Sequence, residues 1–249
     1  MKAFVTGIGW VNGDGIGTGR DISILKMVPS SLPKISSAMV FEKSYSRFRR
    51  MDDFSRLGLA AIAYALKDSG HTSNGKKQDI GIIATSKYGS VQTDFDYFNT
   101  FMDKDKGKPS PSLFSYTLPN CFLGEAAICF GLTGISFVIS QENSWELLGC
   151  QMALDIISTG DARKMLCGVL DLENNKLKVA SIEKDKPKDK TGAIFLMLED
   201  TMNLSNFKQK PYGMLNMDKD GIIRIEGSEI NDLTQLVNAC LDNFHNNNL

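Results

Sequence analysis

The residues best placed to do chemistry gather around one bend. An apolar run, Ile135 to Ile139, leads into Ser140, Gln141, Glu142, Asn143, Ser144 and Trp145, and a second apolar segment extends from Leu147 to Ile157. The pattern predicts a strand turning tightly into a helix that spans Asn143 to Ser158. In many α/β enzymes such an elbow carries the nucleophile, because its side chain projects above the sheet and the helix N-terminus stabilises a developing anion. Here the elbow holds Asn143, and a carboxamide is not a nucleophile near neutral pH. Ser140 and Ser144 are the nearest hydroxyls, and without a histidine to serve as base they stay weakly nucleophilic. Cys150, seven residues on, is expected two turns down the helix and out of reach.

The two histidines are read as exposed and functionally idle. His71 lies in Ser69-Gly-His-Thr-Ser73 after a predicted helix and His245 in Asn243-Phe-His-Asn-Asn247, and neither context supplies an orienting acid or a metal partner. Five cysteines, Cys121, Cys129, Cys150, Cys167 and Cys240, have no short paired spacing. That disfavours a disulfide framework and a zinc site, and suits reduced, buried thiols in a cytoplasmic protein. At 249 residues and a formal net charge of −1, the chain suffices for one large domain or two small ones, and neither nucleic acid nor an anionic membrane is an electrostatic match. No apolar stretch approaches the ~20 residues of a membrane span. Met1-Lys-Ala-Phe-Val-Thr6 leads into a run too soon broken by glycine for a signal segment, so the expectation is a cytoplasmic protein without membrane insertion.

The elements that must position the bend alternate in type. Ala3 to Ile8 reads as a buried strand, and Gly13 to Gly19 as a mobile loop. Gly7 and Gly9 open a G-x-G, but the third glycine, Gly13, comes one position late for a dinucleotide site and no amphipathic helix comes after it. Asp52 to Asp68 carries Phe54, Leu57, Ala60, Ala61, Tyr64 and Ala65 at helical spacing and stops at Ser69-Gly70. Next come a strand at Asp79 to Thr85 and a helix at Gln92 to Met102, the latter with Phe95, Phe98 and Phe101 on one stripe. Pro119 to Phe130, Ile135 to Ile139, the helix at the bend, Lys164 to Leu170 and Ala193 to Leu198 continue the alternation. The fold class is therefore α/β, with one mixed, mostly parallel sheet of about five strands flanked by helices. Glu183 to Lys190 reads as a solvated loop. Beyond Asp200, Tyr212 to Met217 and Ile222 to Glu226 flank Asp218-Lys-Asp-Gly221, the turn chemistry of a hairpin, and Leu233, Leu236, Val237, Cys240, Leu241 and Phe244 stripe a last helix. The expected organisation is a domain over 1–200 with a hairpin and amphipathic helix, 201–249, packed on it.

Ser110-Pro-Ser-Leu-Phe-Ser-Tyr-Thr-Leu-Pro-Asn120, Gly124-Glu-Ala126 and Phe130-Gly-Leu-Thr-Gly134 together resemble the run before the reactive cysteine of β-ketoacyl synthases, condensing enzymes of thiolase fold. Val5-Thr-Gly-Ile-Gly9, Arg49-Arg-Met-Asp-Asp-Phe-Ser55 and Gly160-Asp-Ala-Arg-Lys-Met-Leu-Cys-Gly-Val169 fall in that family's order, so the likeness runs from about Met1 to Asp200. It implies half of a thiolase-like fold, with the catalytic cysteine's place taken by Asn143. The family's two catalytic histidines, in His-Gly-Thr and Gly-His contexts of its C-terminal half, are matched by neither His71 nor His245, and the segment beyond Asp200 is too short to be that half.

The resemblance thus implies a non-catalytic subunit, similar to short chain-length-factor-like proteins, that pairs with an active β-ketoacyl synthase as a heterodimer in fatty-acid, polyene or polyketide-type synthesis. It implies no cofactor, and contact with acyl carrier protein only through the partner. Full-length relatives of that kind usually have glutamine where this chain has Asn143. Leu113 and Phe114 fall where the family lines its acyl channel at the dimer interface, and Phe95, Phe98 and Phe101 near a helix bounding it. With Asn143 and Trp145 these are the candidate channel or interface residues, the competing reading being aromatics packed in the core. Two other functions stay open: an acyl-transferring or decarboxylating enzyme in which Asn143 hydrogen-bonds a thioester or carboxylate, and a homodimer that binds an acyl ligand without chemistry. The helix at the bend presents Trp145, Leu147, Leu148, Cys150, Met152, Ala153, Leu154, Ile156 and Ile157 nearly all round its axis, and so must be covered on most sides by the C-terminal segment, a second copy or another synthase-like chain.

Overall fold

The computed structural model describes residues 1–27, 31–41, 45–72, 75–102, 108–140, 146–172, 191–200 and 207–246. Its strands are β1 (Lys2–Asn12), β2 (Gly15–Thr18), β3 (Gly81–Ser86), β4 (Ser136–Ser140), β5 (Lys164–Asp171), β6 (Gly192–Glu199), β7 (Gly213–Met217), β8 (Ile223–Ile225) and β9 (Ser228–Glu229). Its helices are α1 (Ser37–Val40), α2 (Asp53–Asp68), α3 (Val91–Met102), α4 (Pro111–Phe114), α5 (Cys121–Phe130), α6 (Leu148–Thr159) and α7 (Leu233–Asn246). These nine strands join one sheet in the order β4-β3-β5-β6-β1-β7-β8-β9, with β2 paired to β1.

The mixed α/β class holds, but the sheet is larger than the five strands expected and is not mostly parallel. Among the described strands, only β3 runs parallel to its neighbours, β4 and β5, and every other ladder is antiparallel. The reason is physical: a strand buried on both faces reads as a continuous apolar run in either direction, so periodicity does not encode polarity. Gly13 to Gly19, expected as a loop, turns instead into the β1–β2 hairpin, with Trp10 opposite Gly17 and its indole N–H donating to the Thr18 carbonyl at 2.9 Å.

Strand alternation sorts the core into two layers. Met165, Cys167 and Val169 of β5, with Ile194, Leu196 and Leu198 of β6, face α6 and α7; Leu166 and Leu170, with Ala193, Phe195 and Met197, face α2 and α5. The expectation for α6 is met only in part. Cys150, Ala153, Leu154 and Ile157 are buried in a cluster that also contains Leu233, Leu236, Val237, Cys240 and Leu241 of α7, whereas Leu148, Met152 and Ile156 are half-buried. The sheet and the C-terminal helix thus share one apolar layer with α6. The β7–β8 turn adds a polar clamp, with Gln151 Nε2 donating to the Gly221 carbonyl at 2.8 Å.

α2 starts at Asp52, whose carboxylate accepts the Ser55 N–H at 3.0 Å and caps the first turn. It then lies directly on β1. A Cβ added to Gly9 would sit 2.1 Å from the Ala61 carbonyl oxygen, and one on Gly7 would sit 2.4 Å from that of Ala65. The Gly7-x-Gly9 pair therefore permits helix–strand contact and needs no nucleotide to explain it. Gly9→Ala is expected to destabilise the chain by about 3 kcal/mol or more, because backbone on both sides must move. Gly124→Ala, on an open face of α5, should be neutral or stabilising by about 0.5–1 kcal/mol. Urea unfolding midpoints of the two variants check the contrast.

Candidate functional site

The carboxyl ends of the three parallel strands lie side by side on the approach to the bend. Ser86 of β3 and Ser140 of β4 are register partners, and Asp171 closes β5 beside them. Asp171 is buried and accepts from Ser86 Oγ at 2.8 Å, from the Lys87 N–H at 2.9 Å and from the Tyr88 N–H at 3.0 Å. Ser86 Oγ in turn accepts the Gly89 N–H at 2.7 Å. These bonds hold the turn from β3 into α3. They do not activate a serine, since neither His71 nor His245 is bonded to Ser86 or Asp171.

Asn143 and Trp145 lie outside the described residues, as do Gln141, Glu142 and Ser144. The start of α6 corrects the expected helix. It falls at Leu148, five residues after the expected start at Asn143. The carboxylate of Glu146, before that helix, accepts the Leu233 N–H of α7 at 3.3 Å. Cys150 is consequently in the first turn of α6 and not two turns down. It is still no substitute nucleophile, being fully buried with Sγ 3.2 Å from Cys167 Sγ, and burial pushes the Cys167 thiol well up. Cys121 and Cys129 are only half-buried, unlike the buried thiols expected; in the second, burial and the nearby Glu125 raise the thiol to about 11.

The phenylalanine stripe lies on the outside. Phe95, Phe98 and Phe101 are 37%, 55% and 63% exposed, and Phe114 is 61% exposed beside a half-buried Leu113. Packing in the core of this chain does not account for them. Tyr97 and Phe114 rings meet at 5.4 Å, and the Cys121 thiol donates to the Ser115 carbonyl, so α3, α4 and the start of α5 form a continuous surface. Leu118, Ile128 and Ile135 extend it, at 63%, 62% and 45% exposure, towards β4. β4 is an edge strand with no second neighbour among the described residues, and its middle residues are only half-buried where β3, β5 and β6 are almost wholly buried.

Two buried glutamates, like the buried Asp171, escaped the sequence reading. Glu125 on α5 accepts from Arg47 Nη2 at 2.7 Å, Tyr116 OH at 3.0 Å and Tyr45 OH at 3.1 Å, which ties the segment before α2 to α4 and α5. Burial, then the carboxylate, pushes the Tyr116 phenol up to about 12. Glu199, at the end of β6, meets His71 Nε2 at 2.9 Å, Thr6 Oγ1 at 2.8 Å and Lys164 Nζ at 3.5 Å. His71 is therefore buried and has an orienting acid, contrary to the exposed, idle imidazole expected; its partner is 128 residues away in sequence. For Glu125 the signal that was available is a lone carboxylate inside an apolar run; Glu199 ends its run beside Asp200 and carries no such mark. His245 is exposed on the last turn of α7, with Nε2 3.4 Å from the Ile22 carbonyl.

Residues 34–192 match the family model for the β-ketoacyl synthase N-terminal domain, and the chain belongs to that family. It is 30% identical over 133 residues to 3-oxoacyl-[acyl-carrier-protein] synthase 2 of Vibrio cholerae and 29% identical over the same length to that of Vibrio harveyi, matching 53% of this chain but 32% of each relative. The match thus spans about a third of those relatives' length. Among solved structures, the ketosynthase ApeO in complex with its chain length factor ApeC from Xenorhabdus doucetiae superposes with a TM-score of 0.60 at 19% identity, covering 80% of this chain and 79% of that one. The ishigamide ketosynthase/chain length factor superposes at 0.68 and 16% identity, covering 88% and 68%. The fold is thiolase-like, of the ketosynthase type. No described helix is long and apolar enough to cross a membrane.

Glu199 offers a test of the buried network. Burial raises its carboxyl, but His71, Thr6 and Lys164 outweigh that and leave it below the ordinary glutamate value. Its stabilising contribution is therefore complete above about pH 4.3 and lost as pH falls through the lower folded value. Glu199→Gln should cost about 3 kcal/mol at pH 7 and flatten the acid side of the stability profile, as read from urea midpoints at neutral and acid pH.

Proposed function

We propose that this chain is a non-catalytic ketoacyl-synthase-like subunit that pairs with an active condensing enzyme in fatty-acid, polyene or polyketide-type synthesis. The observation that carries the proposal is the identity of Asn143 at the family's nucleophile position, with no histidine in the sequence around the bend. The Sγ of Cys150, the nearest thiol in sequence, is packed against Cys167, and the Ser86 hydroxyl is bonded to a carboxylate rather than to a base of the histidine kind. Nothing at the carboxyl ends of β3 and β5 supplies a nucleophile with its base among the described residues.

The pairing surface in this proposal is the β4 edge with the apolar face of α3, α4 and α5. An open strand edge flanked by exposed Phe98, Phe101, Phe114, Leu118, Ile128 and Ile135 favours burial against another protein. Large rings there suit a wall that limits how far an acyl chain extends along the interface, which is the part that chain-length factors play beside a ketosynthase. Two of the structural neighbours are ketosynthase and chain-length-factor pairs. Heterodimer formation, the acyl channel and the meeting with acyl carrier protein through the partner all belong to this reading.

Co-expression with a condensing enzyme encoded nearby, followed by size-exclusion chromatography, should give a mixed complex. Phe98→Asp with Phe114→Asp should abolish that complex while leaving the melting temperature of the isolated chain nearly unchanged, because both rings are already largely in water. Incubation of the isolated chain with malonyl-carrier protein should release no carbon dioxide and leave its mass unaltered. Decarboxylation or an acyl adduct would instead establish an enzyme. A stable self-dimer retaining lipid would favour the acyl-binding homodimer.

A further inference from the structure

A cleft of about 300 Å³ opens at the amino ends of β3 and β5, the opposite end of the sheet from the bend. His71, Gln78, Asp79, Arg163, Lys164 and Lys208 line it. Three of these side chains are cations and one is an exposed acid. Lys164 is shared with Glu199 at 3.5 Å, whereas Arg163 and Lys208 have no ion pair among the described residues. Positive charge thus exceeds its local neutralisation inside a concave surface, where field lines concentrate.

The floor is His71, 3% exposed. Its Nε2 faces the Glu199 carboxylate, which when ionised can only accept, so Nε2 carries a hydrogen. Nδ1 has no hydrogen-bond partner among the described residues. In the neutral ring that atom is a lone-pair acceptor and repels an oxyanion. In the imidazolium it is a donor.

We propose that this cleft binds a phosphate-type oxyanion, held by Arg163, Lys164 and Lys208, with Nδ1–H of a protonated His71 at its floor. The inference is independent of the proposed function, since it uses no residue of the bend or of the aromatic surface. It makes binding take up a proton at His71, so affinity falls as pH rises. The groups facing that imidazole are Glu199 from β6, Thr6 from β1 and Lys164 from β5, with Arg163, Lys208 and Asp79 around the mouth. Asp68 of α2, the nearest titratable group on the helix before it, is engaged elsewhere, with Arg20, Tyr212 and the Ile8 N–H.

Isothermal titration of the whole chain with inorganic phosphate, and separately with sulfate at constant ionic strength, tests the site. Sulfate exchanges no proton with water near neutrality, so any pH dependence of its affinity belongs to the protein. The expected result is saturable binding of one anion that weakens as pH rises, because the bound state holds one more proton than the free state. Arg163→Ala with Lys208→Ala should weaken it by about tenfold or more, as expected for loss of charge-assisted hydrogen bonds. Arg49→Ala with Arg50→Ala, exposed cations elsewhere, should leave it unchanged. His71→Gln should keep a weaker sulfate affinity that no longer varies with pH. The proposal is overturned by absence of saturable binding, by equal losses in the two double variants, or by a wild-type affinity for sulfate that is flat with pH. Arg163 and Lys208 are exposed, so their double variant stays informative even where His71→Gln does not fold.

Discussion

Contact between the backbones of α2 and β1 sets the frame for everything else. Gly7 and Gly9 leave no room for a Cβ, and α2 therefore settles against the middle of the sheet. Its C-terminal end is locked by Asp68, which accepts the Ile8 N–H at 2.7 Å and the Tyr212 hydroxyl at 2.7 Å and lies 3.1 Å from Arg20 Nε. Burial pushes the Asp68 carboxyl above its usual range, against the pull of Tyr212, Ile8 and Arg20, and burial with Asp68 pushes the Tyr212 phenol far up. One buried carboxylate so joins the first strand, the glycine-rich hairpin and the C-terminal region. The end of the same helix delivers His71 to Glu199 three residues later.

Much of the local structure was legible because it depends on local chemistry. The helix expected over Asp52 to Asp68, its stop at Ser69-Gly70, the Asp218–Gly221 turn and the stripe of α7 are each written within a few residues, and each lies where the pattern puts it. Strand polarity was not legible, since β1 and β6 are buried on both faces and carry the same apolar signature that parallel strands do. Nor were the buried carboxylates, whose partners are remote: Tyr45 and Arg47 lie 80 and 78 residues from Glu125. Family likeness singles out Asn143, Leu113 and Phe114 as positions in the sequence, whereas exposure of the phenylalanine stripe is a property of packing that helical periodicity alone leaves undecided. Glu146, just before α6, is bonded to α7, a tertiary contact that leaves no local trace in the sequence.

The two ends of the parallel strands differ in character. At the carboxyl ends, Asp171 spends its acceptors on backbone N–H groups and a serine, a rigid arrangement suited to holding shape. At the amino ends, a buried imidazole and carboxylate sit beneath cations that outnumber the acids beside them. The buried charge networks of Asp68, Glu125 and Glu199 fix the elements around them.

The sulfur atoms of Cys150, Cys167 and Cys240 carry one more implication. All three are fully shielded, and in the last two burial raises the thiol above its ordinary value, so almost no thiolate is present at neutral pH. Alkylating reagents and peroxides reach them only when α6 or α7 lifts from the sheet. Their rate of modification is therefore an internal clock for the opening of that layer, readable as a mass shift on the peptides that carry them.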